Sequence, residues 1–301
     1  MLQGLKSRAV AAARGLETTL VRALTTRTRR LGARNYAVGR GLLDRPPRQE
    51  AFEPWIDAAY AGALAAFEGA VLDVGVNRMQ SFFKFLSIDP DRRYLGVEPQ
   101  LPAAMAVQDF IDRNDLTQAA ILCAGLSEAP GTAVLNLRRG HGYDASASIV
   151  TLRPARFYTE RRLAPLITGD SAVEALEIDA VALIKIDVEG AELEVLRGFS
   201  ATLARHGPAV VFEVLNDWAA PGEDPQARAI SAERDRRARA VSDLFAAAGY
   251  AILEVRSEGL RPTPAIERKV SADLALCNYA AVPTPKVEAF SAAFDAHRTA
   301  T

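Results

Sequence analysis

Cysteine is scarce in this chain of 301 residues, which has only Cys123 and Cys277. Both fall in apolar runs that read as strands, so buried, reduced thiols are expected, and they fit a reducing compartment. Together with His141, His206 and His297 they show no zinc-ligand spacing, and no metal site is expected. Long apolar runs are missing too. None approaches the roughly 18 residues that a membrane span needs. The longest candidate, around residues 58–67, is short and Ala-rich. Overall charge is nearly absent, at −1. Hydrophobic residues make up 49% and charged residues 24%, as in soluble globular proteins. A chain of this length buries a core of its own, which excludes a disulfide-stapled miniprotein and a fully disordered chain.

The small net charge hides an asymmetry. Residues 1–50 carry 11 Lys/Arg against Glu17, Asp44 and Glu50, so this segment is +8 and the remainder −9. It reads as a basic N-terminal extension on an acidic body. No apolar block follows its charges, so a secretory signal is not expected. Leu2, Leu5, Leu16, Leu20, Val21 and Leu24 fall on one side of a helix with arginines between. That pattern suits a helical arm that contacts solvent, another subunit or a membrane surface.

After Pro46-Pro47, apolar strands alternate with amphipathic helices, the signature of an α/β parallel sheet. A first helix is expected over 54–67, closed by Gly69. Seven strands are expected, at 70–74, 94–97, 119–124, 181–186, 209–214, 250–255 and 274–282. The last two are joined without a helix, by a loop with Pro262 and Pro264, and so should pair antiparallel. A capping box, Ser171 to Glu174, predicts a short helix. One helix is expected over 191–206, stopped by Gly207-Pro208, and the charged stretch 219–240 reads as a surface insertion or lid. The domain is expected over 51–285, with a tail at 286–301 that contains His297.

In such sheets ligands sit beyond the carboxyl ends of the strands. The first strand ends Asp73-Val74-Gly75-Val76-Asn77, where Gly75 allows a ligand close to the backbone. Glu98, before Pro99, ends the second strand, and a carboxylate there can accept from both hydroxyls of a ribose. Together they suggest an adenosine-containing ligand. Asn77 and Gln80 stand where a dinucleotide loop has its second and third glycines, so no pyrophosphate cradle forms. S-adenosyl-L-methionine carries no phosphate and is favoured over NAD. The most informative run is Lys185-Ile186-Asp187-Val188-Glu189-Gly190-Ala191-Glu192, with two acids at a strand end and a third in the first helical turn. Asp187 and Glu189 are the candidate general bases. His141, in a loop between strands, is a further candidate, and Glu192 reads as a helix cap.

These segments resemble the FkbM-type S-adenosylmethionine-dependent methyltransferases. The similarity runs over about 65–285. It rests on Asp73–Asn77, on Val97-Glu98-Pro99, on Gly125-Leu126-Ser127-Glu128 with Gly131, on Asp170, on Lys185 to Gly198, and on Pro208 to Glu213. The resemblance implies a Rossmann-like class I methyltransferase fold, a mostly parallel sheet with an antiparallel last hairpin. It implies that Asp73, Gly75, Val76 and Asn77 line the cofactor's amino-acid end. Glu98 and Pro99 would meet the ribose, and Gly125, Leu126 and Ser127 would flank the adenine. It also implies O-methylation of a sugar, glycolipid or secondary metabolite. The reduced thiols suit the cytoplasm, the basic charge of residues 1–50 suits peripheral membrane contact, and the acidic body with no aromatic-rich basic face leads to no expected nucleic-acid partner. A non-catalytic binding protein that keeps the fold is the alternative. Where the family's first motif has a second glycine this chain has Met79, whose side chain is expected to narrow the space beside the cofactor's methionine tail.

Overall fold

The computed structural model describes residues 26–39, 54–138 and 144–300. In chain order the strands are β1 (Thr26–Leu31), β2 (Arg34–Gly39), β3 (Ala70–Val74), β4 (Tyr94–Val97), β5 (Ala119–Leu122), β6 (Gly125–Leu126), β7 (Gly131–Leu137), β8 (Glu160–Ile167), β9 (Val181–Ile186), β10 (Ala209–Glu213), β11 (Tyr250–Arg256), β12 (Gly259–Thr263) and β13 (Asn278–Pro283). The helices are α1 (Pro54–Ala66), α2 (Gln80–Ile88), α3 (Leu101–Arg113), α4 (Gly169–Ala175), α5 (Glu192–Gly198), α6 (Ser200–His206), α7 (Pro225–Ala247) and α8 (Val287–Ala300).

The central sheet has the order β12-β11-β13-β10-β9-β3-β4-β5. Strands β3, β4, β5, β9 and β10 run parallel, and β13 lies antiparallel between β10 and β11. Every residue of β3 and β9 is buried, because helices cover both faces, and all but Asp73 and Lys185 are apolar. This is the α/β architecture expected from the sequence. It has eight strands rather than seven, since β12 adds an antiparallel edge in the segment read as a Pro-rich loop. Pro262 is tolerated there because an edge strand can spare a ladder N–H. A separate sheet, β6-β8-β7, flanks the carboxyl end.

Other local expectations change. Residues 26–39 form an antiparallel hairpin with Leu31 and Tyr36 buried. The Tyr36 ring lies 5.8 Å from Phe110 of α3, and the Asn114 side chain closes both backbone groups of Ala37 at 2.6 and 2.9 Å. This part of the expected extension is therefore built into the domain, whereas the helix read over residues 2–24 lies outside the described residues. Residues 287–300, read as a tail, form α8, with Phe290 and Phe294 fully buried against α1. A Cβ at Gly62 would stand 3.0 Å from the Phe290 carbonyl, so the glycine sets how closely the two helices approach. The helix expected over 191–206 breaks at Phe199 into α5 and α6. Asp170 causes the restart: its carboxylate accepts from the backbone N–H of Ala201 and Thr202 and from the Thr202 hydroxyl, capping α6. The cap of α4 is Thr168, which accepts from the Ser171 N–H at 3.1 Å, rather than Ser171 itself. Stretch 219–240 is a short loop followed by α7, whose Ala238, Val241 and Phe245 pack on the core. Cys277 is buried as expected, but Cys123 lies just past the end of β5 and is exposed.

Candidate active site

The carboxyl ends of β3, β4 and β9 open into a cavity of about 280 Å³. Its floor is fixed by a buried ionic hub. Asp73 of β3 is fully buried and accepts from the Ser81 hydroxyl at 2.6 Å and the Tyr94 hydroxyl at 2.7 Å. The Lys185 ammonium of β9 lies 3.2 Å from the Asp73 carboxylate, 3.7 Å from that of Asp187, and donates to the Gly75 carbonyl at 2.8 Å. Burial opposes charge on this ammonium, but Asp73 and Asp187 outweigh it and hold its pKa above the usual lysine value. A buried cation of this kind is sustained only by such pairing. The hub ties the Asp73–Gly75 strand end to the Lys185–Asp187 strand end.

Gly75 belongs to the same junction. It has φ +87, and a Cβ there would stand 1.9 Å from the Asp187 carbonyl. The close approach that demands glycine at this position is therefore that of the neighbouring strand. Two residues on, Asn77 turns with φ +46 and donates its N–H to Glu98 at 2.9 Å. Glu98 also accepts from the Gln100 N–H at 2.8 Å. Burial pushes the Glu98 carboxyl up, and these two N–H donors pull it back. The Gln100 side chain in turn holds the backbone of Asp144, donating to its carbonyl at 2.9 Å and accepting its N–H at 2.5 Å. That clamp holds Asp144 at the cavity, which Ala145, Ala147, Ser148 and Ile149 also line.

Of the residues singled out in the sequence, Gly75, Asn77, Glu98, Pro99, Gly125, Leu126, Asp187 and Glu189 line the cavity. Asp73, Val76 and Ser127 do not. Asp73 is the buried anchor just described, Val76 packs in the core, and Ser127 donates its N–H to the Ile167 carbonyl while its own carbonyl faces Gly198. His141 lies outside the described residues. Met79 is fully buried among core side chains including Phe82 and Phe83, and does not line the cavity. Its backbone has φ +64, so what position 79 requires is the left-handed turn that starts α2, and the side chain leaves the cofactor side open.

The two candidate bases differ in their surroundings. Asp187 keeps 45% of its side chain exposed, on Lys185. Glu189 is mostly buried and is engaged by the Arg153 guanidinium, which stacks over Phe157 with Cζ 4.7 Å from the ring centroid. Burial raises the Glu189 carboxyl, and Arg153 opposes that rise. Glu192 accepts the Gly190 N–H at 2.9 Å, ahead of α5, whose cap position Ala191 has no side-chain hydrogen bond. Burial pushes the Glu192 carboxyl up to about 7. Sequence reasoning assigned no role to Lys185, Gln100, Asp144, Arg153 or Glu213. Lys185 and Glu213 stand inside quoted motifs, but nothing local marks which partner each one meets. Five carboxylates (Glu98, Asp144, Asp187, Glu189 and Glu213) line the cavity, and among the described residues no Lys, Arg or His side chain does. Three of these carboxylates are paired with cations just behind the lining: Asp144 with Arg138, Asp187 with Lys185 and Glu189 with Arg153.

A parallel sheet closed by an antiparallel strand, with an acidic site beyond its carboxyl ends, defines a class I methyltransferase fold. The family model of the methyltransferase FkbM domain matches residues 73–248, more than half of the chain, and the chain belongs to that family. S-adenosylmethionine comes with this membership as the cofactor. Among solved structures, the chain is similar to the methyltransferase FkbM of Methylobacillus flagellatus KT at 15% identity, over 71% of this chain and 43% of that one, with a TM-score of 0.42. It thus spans less than half of that protein's length. It is also similar to an O-methyltransferase of Bacillus cereus at 10% identity, over 79% and 84% of the two chains, with a TM-score of 0.36. The methyltransferase CcbJ of Streptomyces caelestis gives 13%, 79%, 98% and 0.38 for the same measures. No curated protein matches the chain.

Proposed function

We propose that the chain transfers a methyl group from S-adenosylmethionine to a hydroxyl of a sugar, glycolipid or secondary metabolite, with Asp187 as general base. The observation that carries this reading is the Asp187 carboxylate, half-exposed at the cavity and tethered to Lys185. The residues present suit the cofactor. Asn77 has a buried side-chain oxygen without a hydrogen-bond partner, and Glu98 offers carboxylate acceptors at the cavity. Glu98, Asn77 and the Gly125-Leu126 turn would hold it.

When bound, the cofactor supplies an activated methyl group and its own leaving group. The chain's part is alignment and proton removal. Asp187 accepts the proton of the attacking hydroxyl, and Lys185 fixes where that carboxylate sits. Glu189 is occupied by Arg153, so it shapes the site and leaves the proton chemistry to Asp187. No helix among the described residues is long and apolar enough to cross a membrane.

The test is Asp187→Asn, nearly isosteric. With an acceptor in hand it should slow turnover by about 10²–10⁴, the usual contribution of a general base, while calorimetry shows S-adenosylmethionine still bound. Near-normal turnover would remove Asp187 from the chemistry. Lost folding or lost cofactor would make it structural.

A further inference from the structure

A second, smaller cavity of about 70 Å³ lies at the same end of the sheet. Ile56, in the first turn of α1, and Phe212 give it apolar walls; Tyr60, Lys185, Asp187, Glu213 and Asn278 give it a polar edge. Asp187 and Glu213 are the two residues that line both cavities, so the half-exposed Asp187 carboxylate stands on a wall shared by the two.

We propose that this smaller cavity receives the reacting end of the acceptor, and that this end is a neutral alcohol group, a CH–OH or CH₂–OH. The proposal rests on the larger cavity being the cofactor's. Size is the first argument. A water needs about 10–15 Å³ and an apolar cavity of about 150 Å³ holds benzene, so 70 Å³ fits a fragment of a few heavy atoms and not a whole sugar ring. The rest of the acceptor stays outside, and only its reacting end is selected here. Chemistry is the second argument. The carboxyl groups of Asp187 and Glu213 offer acceptors that bind an O–H, while Lys185 on the same lining is already engaged by Asp73, Asp187 and the Gly75 carbonyl. Ile56 and Phe212 suit the carbon that bears the hydroxyl. Position is the third. A hydroxyl donating to Asp187 from this side points its oxygen toward the wall shared with the larger cavity. In the transfer, the O–H bond breaks with its proton passing to the Asp187 carboxylate. The O–CH₃ bond forms as the sulfonium S–CH₃ bond breaks, and the electron pair of that bond stays on sulfur.

The experiment titrates ethylene glycol, a minimal diol, into the full chain saturated with S-adenosylhomocysteine. The methyl groups of Ile56 and of Ile186, which also lines the small cavity, serve as NMR reporters. Saturable shifts at both are expected. Ile56→Phe, which fills the cavity from α1, should weaken the diol roughly tenfold or more when read at Ile186. Ile56→Ala, which enlarges the cavity, should keep it, and this variant carries the test if Ile56→Phe melts early. Shifts at neither methyl, equal binding by Ile56→Phe, or loss in Ile56→Ala would overturn the proposal. Ethylammonium is titrated in parallel; saturation by it alone would replace the alcohol with an amine acceptor and overturn the class assigned here. Calorimetry with S-adenosylmethionine on the same proteins separates the two readings. A wild-type chain that fails to bind cofactor refutes the larger cavity's role, whereas normal cofactor binding with no diol in the small cavity refutes this proposal alone.

Discussion

Met79→Gly restores the glycine that the family's first motif carries, and the sequence alone suggests that it should open the cofactor site. The structure leads to the opposite expectation. Met79 has φ +64 and no exposed surface, packed in the cluster that contains Phe82 and Phe83. Glycine relieves the left-handed backbone, a gain of roughly 1–2 kcal/mol. It also empties a filled core site, and truncating a buried methionine costs about 2–5 kcal/mol. The loss outweighs the gain, and the variant should be about 1–3 kcal/mol less stable. For a domain of this size each kcal/mol moves the melting temperature by roughly 2–4 °C, so a fall of about 2–12 °C is expected. Thermal melts measure that fall, and calorimetry with S-adenosylmethionine should show affinity unchanged within about twofold, below 0.5 kcal/mol. A variant that is as stable as wild type and binds the cofactor several-fold more tightly would refute the placement of this side chain in the core.

Three further outcomes are expected. Glu98→Ala should weaken S-adenosylmethionine by roughly 1–3 kcal/mol, since it removes a charged acceptor and releases the N–H groups of Asn77 and Gln100; Glu98→Gln should do less harm, and unchanged calorimetric affinity in Glu98→Ala would mean that the cofactor lies elsewhere. Asp170→Ala should lower stability in urea by about 1–2 kcal/mol, the usual effect of losing a helix cap, with cofactor affinity preserved; a loss of affinity at full stability would contradict the capping role. Glu192 has a folded-state pKa raised from 4.5 to about 7, so the folded chain holds the proton more tightly than the unfolded one. The stability this contributes is fully present below pH 4.5 and is lost as the pH rises to about 7. The whole change is about 3 kcal/mol, and Glu192→Gln should flatten that part of the stability–pH curve in urea titrations. An unchanged slope would place the titration on another group.

Strand identity was legible in the sequence, because a strand buried on both faces is mostly apolar, as 70–74 and 181–186 are apart from Asp73 and Lys185. So were the residues that end those strands. Asn77, Glu98 and Asp187 stand at carboxyl ends, and chain order alone carries them to one edge of a parallel sheet. Helix and strand assignments failed where the deciding partner is distant. Phe199 breaks a helix that its own sequence would continue, because Asp170 caps the restart. β12 exists because β11 offers it an edge, in spite of Pro262. Residues 26–39 become a hairpin by docking Tyr36 and Ala37 on α3 and Asn114.

The division within the site has the same cause. Spacing along the chain fixed which carboxylates reach the carboxyl edge. Register across the sheet decided what each one does there. Pairing Asp73 with Lys185 in the ladder buries that acid as the anchor of the Lys185 ammonium and removes it from the cavity. The same ammonium leaves Asp187 half-exposed at the junction of two cavities. Arg153, 36 residues upstream of Glu189, takes the other candidate base. Local sequence determines where a strand ends and which side chains alternate along it. Only the packed sheet decides which charge faces which, because burial makes each buried ion depend on a partner that the chain brings from far away.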